Sequence, residues 1–189
     1  MKSKLYKGHA SSTEKLSRLS HFTIEEVEAL INMYNKITGS KVMDTSVMRD
    51  VLHAIFQLSN ELLIERVCQV FDKDQDGLIS EEEFVSGLSV FLKGTLEEKI
   101  KYCFSVYDHN GDQMVSKEEI QQQLKSFVIN IPSGEEYFDI IKDLVDFVLR
   151  RLDNDRDGRV SYDDYAASVI SEPLLMEVLG SCLPDITVT

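Results

Sequence analysis

Apolar residues recur along the chain at the spacing of one helix face, in segments that flank three acidic stretches. Ahead of the acidic stretches the i, i+3, i+4, i+7 pattern occurs three times, at Ile64, Val67, Cys68 and Phe71, at Ile100, Cys103, Phe104 and Tyr107, and at Val145, Val148, Leu149 and Leu152. A second stripe follows the first two stretches, and a weaker one follows the third. The repeating unit is therefore predicted to be helix, loop, helix.

The three acidic stretches share one internal pattern. They begin at Asp72, Asp108 and Asp153, which are 36 and 45 residues apart. Each has a serine at its ninth position and a carboxylate at its twelfth, which is also the capping-box signature of a helix start. One copy would indicate only a helix cap, whereas three copies in register favour metal-binding loops.

The first stretch, DKDQDGLISEEE, matches every position of an EF-hand calcium loop. Calcium takes about six to eight oxygen ligands, which an EF-hand supplies from loop positions 1, 3, 5, 7, 9 and 12, with glycine at position 6 for the turn. Gly77 occupies that turn. The predicted ligands are Asp72, Asp74, Asp76, the backbone carbonyl of Leu78, Ser80 and Glu83.

The second stretch, DHNGDQMVSKEE, keeps the ligand positions but has Gln113 in place of the glycine. A non-glycine residue in left-handed backbone costs about 1–2 kcal/mol, and this loop has one carboxylate fewer than its neighbours. We expect it to bind calcium more weakly than the first loop. The predicted ligands are Asp108, Asn110, Asp112, the backbone carbonyl of Met114, Ser116 and Glu119.

The third stretch, DNDRDGRVSYDD, ends in an aspartate, which is one methylene shorter than glutamate. Such a residue reaches the metal through one oxygen unless the exit helix moves inward, and this favours six-coordination. The sequence thus predicts up to three calcium ions, with magnesium competing best at the third loop. The predicted ligands here are Asp153, Asp155, Asp157, the backbone carbonyl of Arg159, Ser161 and Asp164.

A fourth helix-loop-helix unit is predicted upstream, because EF-hands pair. Helical stripes within residues 27–34 and 48–55 flank a thirteen-residue loop, 35–47, whose only acid is Asp44. This hand is predicted to be degenerate and to pair without binding metal. The predicted fold is all-α, with two lobes of paired EF-hand units and short β-contacts between paired loops through the apolar position-8 residues Ile79, Val115 and Val160.

These units predict the organisation of the whole chain. Lys93-Gly94 and Glu172-Pro173 mark breaks between helices, and the segment 131–134 is predicted to be a loop between hands. The predicted parts are an N-terminal extension (1–20), an N-lobe (21–92, with the first calcium hand at 59–92), a linker (93–95), and a C-lobe (96–189, with calcium hands at 96–130 and 140–172, then a C-terminal helix and tail).

The net charge of −13 lies almost entirely in the acidic loops. They carry −5, −3 and −3, which is −11 of the −13. So much like charge in short stretches opposes folding unless cations lie among the carboxylates. The acidity also argues against nucleic acid as a partner, because nucleic-acid binding needs a basic face.

The cysteines and the N-terminus indicate an intracellular setting. Cys68 and Cys103 fall on helical apolar stripes and are expected in the core, while the place of Cys182 in the tail is undecided. The three cysteines match neither a zinc site nor a disulfide scaffold. With no signal-peptide pattern and Lys2 where myristoylation needs glycine, we expect a soluble protein without a membrane anchor.

The segment FDKDQDGLISEEEFVSGLSVFLKGTLEEKIKYCFSVYDHNGD resembles the neuronal-calcium-sensor and calcineurin-B branch of EF-hand proteins. Within that branch, FLKGTLEEKIKYCF and the tail SCLPD are most similar to the calaxin family, over residues 45–185. The resemblance implies a calcium sensor of the cytoplasm and of the axoneme of motile cilia and flagella. It also implies outer-arm dynein heavy chain as a protein partner, with microtubules as a second.

Three functions remain open on the residues alone: a regulatory sensor that exposes an apolar groove, a regulatory subunit of an enzyme such as a calcineurin-type phosphatase, and a calcium buffer that opens little. Two lobes, unequal loops and several methionines favour the sensor, namely Met33, Met43, Met48, Met114 and Met176. No nucleophile, base and orienting group recur outside the metal loops, so the chain is not expected to be an enzyme.

Overall fold

The computed structural model describes residues 12–127 and 135–184. Its helices are α1 (residues 12–18), α2 (Ile24–Thr38), α3 (Thr45–Phe56), α4 (Glu61–Phe71), α5 (Glu81–Lys93), α6 (Leu96–Tyr107), α7 (Lys117–Phe127), α8 (Glu135–Leu152) and α9 (Tyr162–Ser171), followed by a 3-10 turn at Pro173–Glu177. Two-residue strands lie between helices, at β1 (Met43–Asp44), β2 (Leu78–Ile79), β3 (Met114–Val115) and β4 (Val160–Ser161). The predicted all-α EF-hand fold with short β-contacts is confirmed.

Helix starts follow the capping signals of the sequence. The residues Thr23, Ser80, Thr95 and Ser161 each accept a hydrogen bond from the third helical amide, while the side chain of that third residue accepts from the cap amide. These reciprocal bonds satisfy donors that the first helical turn leaves unpaired. The exit helices α5 and α9 therefore begin directly after the serine at the ninth position of their loops, so that the twelfth residue lies in the first helical turn.

The degenerate first hand pairs with the first metal loop through β1 and β2. The strands are antiparallel, with Met43 opposite Ile79 and Asp44 opposite Leu78. Because Ile79 is the eighth loop residue, this register gives Met43 the eighth position and Val47 the twelfth, where a metal loop has its acidic ligand. The carboxylate of Asp44 accepts a hydrogen bond from the Val47 amide at 2.9 Å and so caps α3. An apolar twelfth residue explains why this hand is degenerate.

The second and third metal loops pair in the same way. Strands β3 and β4 are antiparallel, with Met114 opposite Ser161 and Val115 opposite Val160. The apolar position-8 residues Ile79, Val115 and Val160 are all buried, as predicted for contacts between loops.

The two lobes pack on one another and share a core. Tyr102 on α6 makes edge-on ring contacts with Phe71, at 6.5 Å between centroids, and with Phe91, at 5.9 Å. The buried apolar residues of both lobes form one continuous cluster. His21 Nε2 also lies 2.6 Å from a carboxylate oxygen of Glu98 at the start of α6. Packing between lobes thus extends across the predicted linker.

Residues 12–18, which lie within the predicted N-terminal extension, form helix α1 and join the N-lobe. Leu16 is only 4% exposed and belongs to the shared core. Lys15 forms an ion pair with Glu82 of α5 at 3.1 Å, and the amide of His21 donates to Ser89 Oγ at 2.7 Å. The N-lobe therefore begins earlier than residue 21.

The C-lobe differs from the sequence prediction at α8 and in the tail. Helix α8 begins at Glu135, ahead of the predicted start at residue 140, and the predicted loop at 131–134 lies outside the described residues. The segment predicted as a short C-terminal helix forms a five-residue 3-10 turn at Pro173–Glu177 instead of an α-helix. No helix in the described part of the chain is both long and apolar enough to cross a membrane.

Candidate metal centres

The three acidic loops share one hydrogen-bond framework. In each loop the amide at position 6 donates to the carboxylate at position 1, over 2.9 Å in all three cases, from Gly77 to Asp72, from Gln113 to Asp108 and from Gly158 to Asp153. The amide at position 7 likewise donates to the carboxylate at position 5, from Leu78, Met114 and Arg159. The loops thus fold around their own carboxylates.

The first loop brings three carboxylates together at one point. One oxygen from each of Asp72, Asp74 and Asp76 lies within 4.8 Å of the others. The hydrogen bond from the Asp76 amide lowers the pKa of Asp74, but desolvation and repulsion by Asp76, Glu83 and Asp72 outweigh it, so the pKa lies above its ordinary value. A cation among these oxygens would relieve that repulsion.

The twelfth residue of the first loop reaches across to the start of the loop. Glu83 Oε1 accepts from the amides of Lys73, at 2.9 Å, and Asp74, at 3.4 Å, while its Oε2 accepts from Ser80. Partial burial raises the pKa of Glu83, but these donors overcome that effect and hold the pKa below its ordinary value. One carboxylate therefore connects the loop entrance to the first turn of α5.

Glu119 repeats this bridge in the second loop. Its Oε1 accepts from the amides of His109, at 2.9 Å, and Asn110, at 3.2 Å, and its Oε2 accepts from the Ser116 amide at 2.8 Å. Glu119 and Asp108 are both buried, as are their counterparts Glu83 and Asp72 in the first loop. In both of the first two loops, therefore, the first and twelfth residues are buried and the twelfth residue bridges to the loop entrance.

The third loop lacks the bridge. Asp164 Oδ2 accepts from the amide and the hydroxyl of Ser161, but in this fully described loop it receives no hydrogen bond from the amides of Asn154 or Asp155. The side chain of Asn154 instead donates to the backbone carbonyl of Asp164, at 3.1 Å. The shorter acid caps its helix but does not span the loop, although Asp153, Asp155 and Asp157 cluster within 4.8 Å as in the first loop.

Every metal loop has two left-handed residues, at positions 4 and 6. The pairs are Gln75 and Gly77, Gly111 and Gln113, and Arg156 and Gly158, with φ between 59° and 88° across the set. Each loop thus has one glycine and one non-glycine residue in the strained region. Gln113 does adopt the left-handed backbone, with φ 68°, but Gly111 removes the corresponding cost two residues earlier. The sequence prediction considered position 6 alone, and the weaker calcium binding that it expects of the second loop stays a prediction.

Arg66 connects the two lobes at the second loop. Its guanidinium, on α4, donates to the carbonyl of Asp108 at 2.6 Å, to that of His109 at 3.1 Å, and to those of Ser105 and Val106 at the end of α6. Burial lowers the pKa of Arg66, while nearby carboxylates act in the other direction. No sequence pattern marks this contact, because it depends on packing between residues about 40 positions apart.

The donor set of all three loops fits a hard divalent cation. Each loop presents carboxylate and serine or amide oxygens at the predicted side-chain positions, and Leu78, Met114 and Arg159 lie at or directly before the paired strands. Calcium prefers such oxygen ligands in flexible arrangements of high coordination number. Ligation by the individual residues stays a prediction.

Comparison with known proteins places these loops in a family. A model of an EF-hand domain pair matches residues 97–170, and a model of a single EF-hand domain matches residues 63–91. Calaxin of Danio rerio is 45% identical over 175 residues, covering 89% of this chain and 83% of that protein. Calaxin of Xenopus laevis is 46% identical over 180 residues, covering 91% and 86%. The chain belongs to the calaxin family. The matched EF-hand domains imply that the chain binds calcium, and the number of loops that hold an ion stays a prediction.

A second group of relatives is more distant. The type 2 form of calcineurin B from Homo sapiens is 34% identical over 151 residues, which cover 79% of this chain and 85% of that protein. The resemblance to calaxin and to the calcineurin-B branch is therefore confirmed. The two family-model matches contain all three metal loops, and neither includes the degenerate first hand, whose twelfth residue is Val47.

Proposed function

We propose that this calaxin-family chain is a calcium sensor that regulates outer-arm dynein of motile cilia and flagella through a calcium-dependent change of shape. Its place would be the cytoplasm and the axoneme, its partner the outer-arm dynein heavy chain, with microtubules as a second contact. The observation that carries the proposal is the similarity to calaxins over about nine tenths of the chain, together with the bridging glutamates of the first two loops.

The bridging glutamates would convert ion binding into helix movement. Bound calcium supplies a double positive charge that attracts carboxylate oxygens. Glu83 and Glu119 now share their oxygens between loop amides and a cap serine, at the first turns of α5 and α7. If calcium replaces the hydrogen bonds of either glutamate, the start of its exit helix would shift. The buried apolar faces of the exit helices would then repack.

The third loop would contribute differently. Asp164 does not reach the loop entrance, so occupation of this loop would pull less on α9 and would tolerate the smaller magnesium ion. We propose up to three calcium ions for the chain, with magnesium competing mainly at this loop. The first two loops would then carry the calcium signal.

A second candidate function is that of a regulatory component of a calcineurin-type phosphatase. The observation that favours it is the 34% identity to type 2 calcineurin B over 79% of the chain. In that case the partner would be a catalytic phosphatase subunit. The lower identity makes this the weaker proposal.

A binding experiment with the full chain separates these proposals. The chain is immobilised and offered a dynein heavy-chain fragment or a calcineurin-type catalytic subunit, in calcium, in magnesium and in chelator. We expect the dynein fragment to bind with calcium-dependent strength, and a double variant Glu83→Gln, Glu119→Gln to lose that dependence. Calcium-dependent capture of the phosphatase subunit alone would overturn the dynein proposal in favour of the second function.

A further inference from the structure

Two buried thiols meet where the C-terminal tail packs on α6. The Sγ atoms of Cys103 and Cys182 are 3.1 Å apart, although the residues are 79 positions apart in the chain, and both side chains are fully buried. A disulfide has its sulfur atoms at about 2.0 Å, so a movement of about 1 Å would join them. The remaining cysteine, Cys68, contacts the carbonyl of Thr45 rather than a thiol.

The tail that carries Cys182 is fastened to the C-lobe by a few specific contacts. The hydroxyl of Tyr107 donates to the carbonyl of Gly180 at 2.7 Å, and the hydroxyl of Tyr165 donates to the carbonyl of Met176. Gly180 lies directly against the ring of Phe127, so closely that a Cβ there would come within 2.2 Å of a ring carbon. The tail thus touches α6, α7 and α9, which are helices of the second and third metal loops.

We propose that Cys103 and Cys182 are a redox modification site, at which a peroxide oxidises the two thiols to a disulfide that fastens the tail to α6. Disulfides in the cytosol are usually transient and serve redox sensing. The pair fits such a role because its sulfur atoms are already adjacent in the reduced protein. No movement of either lobe is needed to bring them together.

The oxidation takes place in two balanced steps. Cys182 leaves the core when the tail lifts, and its thiol attacks hydrogen peroxide, giving a sulfenic acid and one water molecule. When the tail packs again, the thiol of Cys103 attacks that sulfur, the S–S bond forms, and a second water molecule leaves with the hydroxyl oxygen. Two molecules of glutathione reverse the change by thiol exchange, and they are oxidised to glutathione disulfide as both cysteines return to thiols.

Burial decides when the pair can react. In the packed state desolvation, followed by contact with Cys182, raises the pKa of the Cys103 thiol well above its ordinary value, so the thiolate is scarce there. Reaction with peroxide therefore depends on opening of the tail. Among its described residues the tail forms a 3-10 turn but neither an α-helix nor a strand. Local opening of the tail is therefore easier than opening of the helical core.

The disulfide would make calcium signalling in the C-lobe dependent on redox state, a consequence that rests on the proposed sensor function. With the tail tied to α6, separation of α6 from α7 and α9 would need to carry the tail along. Oxidised protein should then show a smaller calcium-induced exposure of apolar surface from the C-lobe. Formation of the bond itself does not depend on the sensor function.

Peptide mapping of the full chain tests the site directly. Peroxide-treated protein is digested without reductant and analysed by mass spectrometry. A linked peptide pair containing Cys103 and Cys182 is expected, with Cys68 still a thiol, and dithiothreitol should restore both thiols. Cys68→Ser is the matched control and should form the same link, whereas Cys182→Ser should not. Independent over-oxidation of Cys103 and Cys182 without a link, absence of any reaction, or equal linkage to Cys68 would overturn the proposal.

Dye binding in the same samples tests the consequence. Reduced wild-type protein should gain dye fluorescence with calcium, and the oxidised protein should lose at least half of that gain and recover it with dithiothreitol. In the Cys182→Ser variant, oxidation should leave the calcium-induced gain in dye fluorescence unchanged. If the link forms and calcium raises the dye fluorescence equally in both redox states, the locking role is wrong. If calcium changes neither state while the link forms, it is the proposed sensor function that fails.

Discussion

The guanidinium of Arg66 donates a hydrogen bond of 2.6 Å to the backbone carbonyl of Asp108, the first residue of the second metal loop. Arg66 belongs to α4, the entering helix of the first metal loop, so this contact connects the two loops across the lobe boundary. The same guanidinium also donates to carbonyls at the end of α6, where a cation is favoured by the helix dipole. The two lobes are thus coupled at a metal site.

Replacing Arg66 by alanine should destabilise the calcium-free protein. Hydrogen bonds from a charged donor contribute about 1.5–3 kcal/mol each, but the four bonds share one side chain, so we expect the free energy of unfolding to fall by roughly 2–4 kcal/mol in total. Urea unfolding in the presence of a chelator measures this free energy. Arg66→Lys keeps the charge but loses the planar fork and should recover less than half of the loss. If the free energy of unfolding falls only as much as it does on substitution of an exposed residue, the contact contributes little to stability.

The first loop should bind calcium tightest, because it has four predicted acidic ligands, a glycine at position 6 and the bridging Glu83. Glu83→Gln keeps the size of the side chain but removes its negative charge, and with it the bidentate carboxylate expected to bind calcium. Calorimetric titration of this variant should lose the strongest binding event. The matched control is Glu82→Gln, at an exposed neighbour that pairs with Lys15, and it should retain that event. Retention in Glu83→Gln would mean that another loop is the tightest.

Left-handed backbone in the second loop predicts opposite effects for two nearby substitutions. Gln113→Gly should tighten calcium binding at this loop by up to about tenfold, because it relieves about 1–2 kcal/mol of backbone cost, less the freedom that glycine adds to the unbound loop. Gly111→Ala should weaken binding by a similar factor. No atom lies within 4 Å of the added methyl group, so that effect would come from φ alone. Equal affinities in all three proteins, measured by titration, would show that φ does not limit binding here.

The length of the twelfth side chain should set the metal preference of the third loop. Asp164→Glu adds the methylene that lets Glu83 and Glu119 reach the amides at positions 2 and 3 of their loops. We expect the preference of this loop for calcium over magnesium to rise by about tenfold. Asp163→Glu, one residue earlier and exposed, is the control and should leave the preference unchanged. Competition titrations with both ions measure it, and an unchanged ratio in Asp164→Glu would show that side-chain length does not set the preference.

Local pattern was enough to predict the repeated parts of the structure. The helix stripes, the cap serines and the apolar position-8 residues each depend on spacing within one hand, and β2 and β4 formed where Ile79 and Val160 predicted contacts. The place of Val47 at the twelfth loop position could also have been predicted, by aligning the first loop backward from its exit helix rather than by counting its length.

Long-range packing explains what the sequence did not predict. Leu16 carries no repeat signal, and its burial depends on the packing of α1 into the shared core. The place of Cys182 could not be predicted, because its partner lies 79 residues away. The left-handed backbone at position 4 has no sequence signal either, since glutamine, glycine and arginine all occupy it and no residue type marks it.

The measurement that tests the central claim most directly is dye binding to apolar surface, followed as calcium fills the three loops of the full reduced chain. We predict that fluorescence rises with calcium but not with magnesium, and that capture of a dynein heavy-chain fragment changes over the same calcium range. Glu83→Gln together with Glu119→Gln should abolish both responses. If calorimetry shows calcium bound at all three loops while dye binding and capture stay unchanged, the sensor function is contradicted and the chain is a calcium buffer.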